Sequence, residues 1–309
     1  MTNATSALTQ RQDHPVLGIA TFIGNLVLMS LVSASVKALS DNYPLGEILL
    51  FRFAFAALFF WLLLLSTIGL SGLSTSQPFA HAIRTVSGIT SLSLMFFAVS
   101  AIPIADATAL AYSAPIFITL LSVFLLKETI GVRRWLAILV GFIGVLLIAQ
   151  PGTQPDGAGL SIGVAAGIAS AITGALVAIW LRRLSRTERS VTIGLYYNSS
   201  GVLVCIIWIL SIGWVLPRSE DWLLFCVFGV LCAGQQWLLT ISFRYAKASF
   251  LAPFEYLAMI FAAIVGYLFW GEIPVLTTWI GAAVISSSGL FIFVRRRSKL
   301  PAAKTVITN

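Results

Sequence analysis

Apolar runs of about twenty residues recur along the whole chain, broken by short polar segments. A bilayer core takes about 20 apolar residues per helix, with a range of about 17–25. On that ruler the pattern predicts ten spans, at 17–39, 46–69, 80–100, 104–126, 133–149, 158–181, 191–214, 220–241, 248–270 and 275–294. The breaks read "SDNYP", "QPGTQPDG", "RRLSRTER" and "PRSED", punctuated by Pro, Gly and charge. The first run has a weakly basic flank, and its apolar stretch exceeds the 7–15 residues of a signal-peptide core. It therefore reads as a retained first span.

Basic residues fall on one side of this pattern. The N-terminus, the loops after even-numbered spans and the tail carry sixteen Lys and Arg, Arg84 among the loop residues. The other side carries Arg218 alone, and Lys37 and Arg52 lie inside spans. Loops rich in Lys and Arg stay in the cytoplasm, which predicts both termini inside an inner membrane.

Composition excludes several classes. The chain has 309 residues, of which 59% are hydrophobic and 10% charged, whereas soluble domains run near half apolar and a quarter charged. The net charge of +8 is scattered among loops and tail, so no nucleic-acid-binding stripe is built. Cys205, Cys226 and Cys232 sit in apolar runs without CxxC spacing. No catalytic, cofactor or metal motif is readable, so an enzyme is not expected.

A shift of 144 residues sets Tyr112 on Tyr256, Glu128 on Glu272 and Trp135 on Trp279, with nine identities between positions 112 and 148 and their mates. Each Glu closes a span and each Trp opens the next. The predicted organisation is a tail at 1–16, a five-helix repeat at 17–149, an external linker at 150–157, a second repeat at 158–294 and a basic tail at 295–309. Because five is odd, the halves point in opposite directions. The expected fold is an all-α integral membrane protein of ten transmembrane helices, two inverted five-helix repeats around a central cavity.

Three stretches carry a family resemblance: "YPLGEILLFRFAFA" (43–56), "ATALAYSAPIFITLLSVFLLKE" (107–128) and "WGEIPVLTTWIGAAVISSSGLFIF" (270–293). They resemble the EamA-type transporters of the drug/metabolite transporter superfamily. The resemblance implies a ten-helix basket with spans five and ten at the periphery, and a carrier of small metabolites. In one departure, many members carry a second-half proline where this chain has Met259, while its own proline is Pro253. The kink in span nine is therefore expected to be displaced.

Candidate substrate-binding residues follow from polarity inside spans. Glu255 lies about 10 Å into span nine at 1.5 Å per residue. A carboxylate at a helix centre costs about 2.5–3.5 kcal/mol, so Glu255 is expected to face a cavity or a partner. It reads as a proton acceptor or cargo ligand, or else as an ion-pair partner of Arg244 or Lys247. Tyr112 and Tyr256 are candidate cavity aromatics because the repeat makes them equivalent. Phe96, Tyr196 and Trp237 could join them, with Asn198, Gln235 and Gln236 supplying hydrogen-bonding groups. Lys37, Glu47, Arg52 and Asp106 read as a structural network joining spans one, two and four. Gly159, Gly163 and Gly167 form a ridge for close helix packing. The expected partners are the bilayer, a small-molecule cargo and protons as coupling ion, in a monomer or homodimer. A planar heteroaromatic cargo such as riboflavin suits the aromatic and amide groups. S-adenosylmethionine and amino acids are the alternatives, and a channel or scaffold is the rival class.

Overall fold

The apolar runs are helices in the computed structural model, which describes residues 15–125, 131–150, 161–185, 187–246 and 251–297. The helices are α1 (Pro15–Ser40), α2 (Leu45–Thr67), α3 (Pro78–Ala101), α4 (Ile104–Ala111), α5 (Ala114–Leu125), α6 (Val132–Ala149), α7 (Ile162–Leu184), α8 (Ser190–Ile212), α9 (Trp222–Tyr245), α10 (Leu257–Trp270) and α11 (Leu276–Arg297). Two short 3-10 segments, Leu70–Leu73 and Ala252–Tyr256, complete the list among the described residues. Most of the expected tails and of the linker, with Glu128, Lys247 and Gly159, lie outside the described residues.

Local chemistry sets the helix ends. Pro44 and Pro103 stand at the N-caps of α2 and α4, where a missing N–H removes no helical hydrogen bond. The Ser161 hydroxyl accepts from the Val164 N–H at 3.2 Å and caps α7. Gly271 ends α10 in the left-handed region, at φ 66°.

Seven helical segments are long and apolar enough to cross a membrane, α4 and α5 forming one of them as Ile104–Phe124. Three shorter apolar stretches follow, Trp135–Ala149, Phe254–Trp270 and Leu276–Phe291. They fall in the fifth, ninth and tenth expected spans. Arg133 and Arg134 trim the start of the fifth, a 3-10 turn opens the ninth, and Arg295–Arg297 close the tenth. Rows of exposed apolar side chains, such as Leu58, Leu62 and Leu65 on α2 and Leu203, Ile207 and Leu210 on α8, face outward. Such faces suit lipid, as the outward stripe of a multi-pass membrane protein must.

Helices pack mainly in four pairs: α3 with α7, α1 with α9, α2 with α8 and α6 with α11. Small residues allow close approach. A Cβ on Gly144 would lie 2.7 Å from the Gly281 carbonyl oxygen, and one on Gly281 2.7 Å from that of Gly144, so α6 and α11 cross backbone to backbone. A Cβ on Gly163 would lie 2.7 Å from Ile102, and one on Gly167 3.0 Å from Leu110. That part of the ridge packs closely, as its spacing predicted. Beyond their mutual contact, α6 and α11 touch mainly α4 and α5.

The loops are also tied. The Tyr43 hydroxyl donates to Asp221 Oδ2 at 2.6 Å. Gln77 Nε2 donates to Thr187 Oγ1 at 2.7 Å. Beside the latter contact, Glu188 accepts from Thr75 Oγ1 and the Ser76 N–H, each at 2.9 Å, and from Ser76 Oγ at 3.1 Å. Burial pushes the Glu188 carboxyl upward, but these hydrogen bonds outweigh it and hold the group below its ordinary value.

One sequence assignment needs correcting. Arg84 is not a loop residue: it lies in the second turn of α3, with Nε and Nη1 enclosed.

Candidate functional site

The fourth apolar run is one span in two helices. Pro115 has no N–H, and its ring collides with the carbonyl four residues back, at Ala111. α4 therefore stops at Ala111 and α5 begins at Ala114. Tight turns bridge the gap: the Ser113 N–H donates to the Leu110 oxygen at 3.0 Å and the Ile116 N–H to the Ser113 oxygen at 2.9 Å. The ninth run also changes form, from a 3-10 turn at Ala252–Tyr256 to the α-helix beginning at Leu257. Tyr112 caps the end of α4, and Tyr256 closes the 3-10 turn. The two breaks thus fall on residues related by the 144-residue shift. α10 runs unbroken through Met259, and the irregular turn precedes it, in the segment that holds Pro253.

At these breaks the two tyrosine rings meet, with centroids 5.7 Å apart and planes at 58°. This tilt is one that aromatic quadrupoles favour. Space for the pair comes from Gly289 on α11, where a Cβ would lie 3.0 Å from the Tyr256 hydroxyl and 3.8 Å from Pro115. Glu255 is exposed and close enough to act electrostatically on both phenols. Among the described residues no hydrogen-bond donor reaches its carboxylate. Lys247 and the Arg244 side chain lie outside the described residues. The arrangement is an aromatic pair flanked by one carboxylate, able to stack a planar group and to hold a proton or a cation.

The other expected residues divide. Phe96 is buried against Phe228, with centroids 6.3 Å apart. Gln235 continues the α9 stripe of Phe225, Phe228 and Cys232, three of the buried core residues. Gln236, four residues after Cys232, flanks the same stripe, and Trp237 lies about 100° further round. Trp237 packs edge-on against Phe59, at 5.8 Å, and is 47% exposed. Asn198 is buried and donates to the Gly194 oxygen of its own helix at 2.7 Å. The Tyr196 hydroxyl donates to the Leu73 oxygen at 2.7 Å, tying α8 to the 3-10 turn. The structure therefore does not bring Tyr196 or Trp237 to the tyrosine pair.

The expected four-residue polar network also divides. Lys37 on α1 pairs with Glu272, which follows α10, and donates to the Ile102 oxygen at 3.3 Å. The other Glu272 oxygen accepts from the Ile104 N–H at 3.1 Å. Asp106 accepts from Thr278 Oγ1 at 2.7 Å. Glu47 instead accepts from the Val215 N–H at 2.6 Å. Arg52 lies over Phe53 and Phe96, 5.7 and 5.9 Å from the ring centroids. Sequence reasoning missed Arg84, which stacks 3.7 Å from the centre of the Tyr197 ring. Its place four residues inside the expected third span was the available signal.

The EamA-like transporter family matches the chain twice, over residues 16–150 and 161–294. The chain belongs to the EamA-like transporter family. It is 31% identical over 309 residues to a riboflavin transporter of Rhizobium johnstonii, covering 97% of this chain and 99% of that one. It is 31% identical to the pseudopaline exporter CntI of Pseudomonas aeruginosa over 259 residues, 83% of this chain and 88% of the exporter. To an S-adenosylmethionine uptake transporter of Rickettsia prowazekii it is 26% identical over 283 residues, 92% and 94% of the two chains. A solved structure described as "Crystal structure of protein" superposes with a TM-score of 0.58 at 21% identity, covering 93% of this chain and 98% of that one. This EamA protein is thus a multi-pass membrane transporter of small metabolites within the drug/metabolite transporter superfamily, not an enzyme.

Proposed function

We propose that this EamA protein is a secondary carrier of the inner membrane. Two inverted five-helix halves alternate access to a site at Tyr112 and Tyr256, and both termini face the cytoplasm. The observation that carries the reading is the meeting of these two tyrosines, equivalent in the repeat, at two helix breaks. Discontinuous helices at the interface of repeats are where secondary carriers place their substrate sites.

Further symmetry supports the inverted pair. The shift of 144 residues carries Pro78 onto Trp222 and Ala101 onto Tyr245, so α3 and α9 begin and end in register. It also carries Tyr43 onto Thr187 and Gln77 onto Asp221, so the two loop hydrogen bonds exchange with each other. Exchanging the halves swaps the α3–α7 and α1–α9 pairs and leaves the α2–α8 and α6–α11 pairs unchanged.

The tyrosine pair fits a planar aromatic or heteroaromatic cargo, of which riboflavin is the best candidate. A second reading rests on Glu255. A carboxylate beside two aromatic rings also suits a cationic group, as in S-adenosylmethionine or an amino acid. Counterflow in proteoliposomes tests the carrier: unlabelled internal cargo should speed entry of labelled external cargo. A flux indifferent to internal cargo would identify a channel and defeat the reading.

A further inference from the structure

Arg84 has no anionic partner among the described residues. Its Nε and Nη1 are enclosed and without a hydrogen-bond partner. Among the described residues the ion pair recorded is Lys37–Glu272, and no carboxylate reaches Arg84. From other helices, the Tyr197 ring favours its charge and Arg52, of the same sign, opposes it. Burying a guanidinium without a counter-charge strongly destabilises a fold. In a membrane helix an ionisable group of this kind normally faces a partner or a pathway.

The surroundings hold the guanidinium in place. It stacks on Tyr197, whose hydroxyl donates to the Gly88 oxygen at 3.2 Å and so fixes the ring. Gly88 provides the room, since a Cβ there would lie 2.7 Å from Tyr197 Cε2. Phe53 meets Tyr197 edge-on, with centroids 5.4 Å apart. Stacking uses the face of a guanidinium and leaves its N–H edge free, and that edge matches the two oxygens of a carboxylate or phosphate. The repeat does not demand an arginine here, because the 144-residue shift places Arg84 on Phe228, which is fully buried.

We propose that Arg84, stacked on Tyr197 and backed by Arg52, is a subsite for an oxyanion group, the carboxylate or phosphate of the cargo. This rests on the carrier reading and narrows its substrate class. Among planar and amino-acid cargos it selects those bearing an acidic group over neutral ones.

The test is thermal unfolding of the purified full-length protein in detergent, at fixed ionic strength, with sodium phosphate replacing sodium chloride. A ligand that binds only the folded state raises Tm in a saturable way. For wild type the expected rise is about 2–4 °C. Arg84→Gln should abolish it, and Arg84→Lys, which keeps the charge but loses the two-donor edge, should keep less than half. The loop variant Arg189→Gln should retain it in full. An equal rise in wild type and Arg84→Lys, or no rise in wild type, overturns the subsite. If phosphatidylglycerol gives the Arg84-dependent rise and inorganic phosphate does not, the guanidinium serves a lipid headgroup and the proposal is wrong. Binding is read here without transport, so a failed counterflow leaves this result standing and a failed phosphate response leaves the carrier standing.

Discussion

The Lys37–Glu272 pair offers the sharpest test of how one end of the molecule is held. The two side chains are 14% and 17% exposed. Stranding one charge of a fully buried pair costs about 3–5 kcal/mol. Discounting for the water that still reaches this one leaves about 2–3 kcal/mol for either single change. Lys37→Met leaves the Glu272 carboxylate with only the Ile104 N–H, at 3.1 Å. Glu272→Gln turns an amide toward Lys37 or gives up the Ile104 contact. At about 2–4 °C per kcal/mol, each single variant should lose about 4–12 °C in Tm. The double variant Lys37→Met/Glu272→Gln strands no charge, so it should recover at least about 1 kcal/mol over the sum of the singles. Tryptophan fluorescence during heating in detergent provides the measurement. Single variants within 1 °C of wild type, or a strictly additive double, would refute the claim that this pair fastens α1 to the start of α4 and the end of α10.

Tyr112→Ala and Tyr256→Ala should each weaken cargo binding about fivefold to tenfold, the value of an aromatic contact of about 1–1.5 kcal/mol, while the protein still inserts and purifies; unchanged affinity in both would make the pair packing alone. Glu255→Gln should abolish accumulation driven by a pH difference and spare exchange at equal pH, and a variant that still concentrates cargo would remove Glu255 from coupling. The Glu188 carboxyl sits below its ordinary value of 4.5 in the folded protein, so its contribution to stability is present above that value and is lost as pH falls through the lower folded value. Glu188→Gln should accordingly lower the neutral plateau slightly and flatten the acid limb of the stability profile, and parallel acid limbs would count against these hydrogen bonds. Reporters fused after Asn309 and in the loop at 185–189 should face the cytoplasm, and one at 151–157 the outside; an external C-terminus would sink the ten-span inverted reading.

Helix positions were legible because lipid imposes a simple rule: every backbone group must be satisfied within its own apolar segment. The 144-residue shift that sets Tyr112 on Tyr256 was legible too, and the structure brings those two rings together. What the sequence could not supply was which side chains share a space. Gln235, Gln236 and Trp237 look alike as polar or aromatic groups within one span. Only helix rotation separates the stripe position of Gln235 from the Phe59 contact of Trp237. Lys37 was expected beside residues of neighbouring spans, yet its partner Glu272 is 235 positions away. Arg84 was hidden by charge counting, which assigns any arginine near a span end to the loop.

On the proposed inverted repeat, the two halves match in their loop contacts but not in their ion pair, and that difference matters to a carrier. The loop contacts Tyr43–Asp221 and Gln77–Thr187 exchange under the repeat, so they favour neither orientation of the halves over the other. The ion pair does not exchange: the position equivalent to Lys37 is Leu181, an exposed apolar residue. A fully symmetric inverted repeat would populate its two access states equally. A pair formed at one end and lacking its lysine at the other biases that equilibrium, and each 1.4 kcal/mol of difference corresponds to about tenfold in population. On the carrier reading, the Lys37–Glu272 pair therefore adds weight to the state in which its own end is closed. Cargo must bind the other state more tightly to draw the protein out of it, because a ligand shifts a conformational equilibrium only by its difference in affinity for the two states.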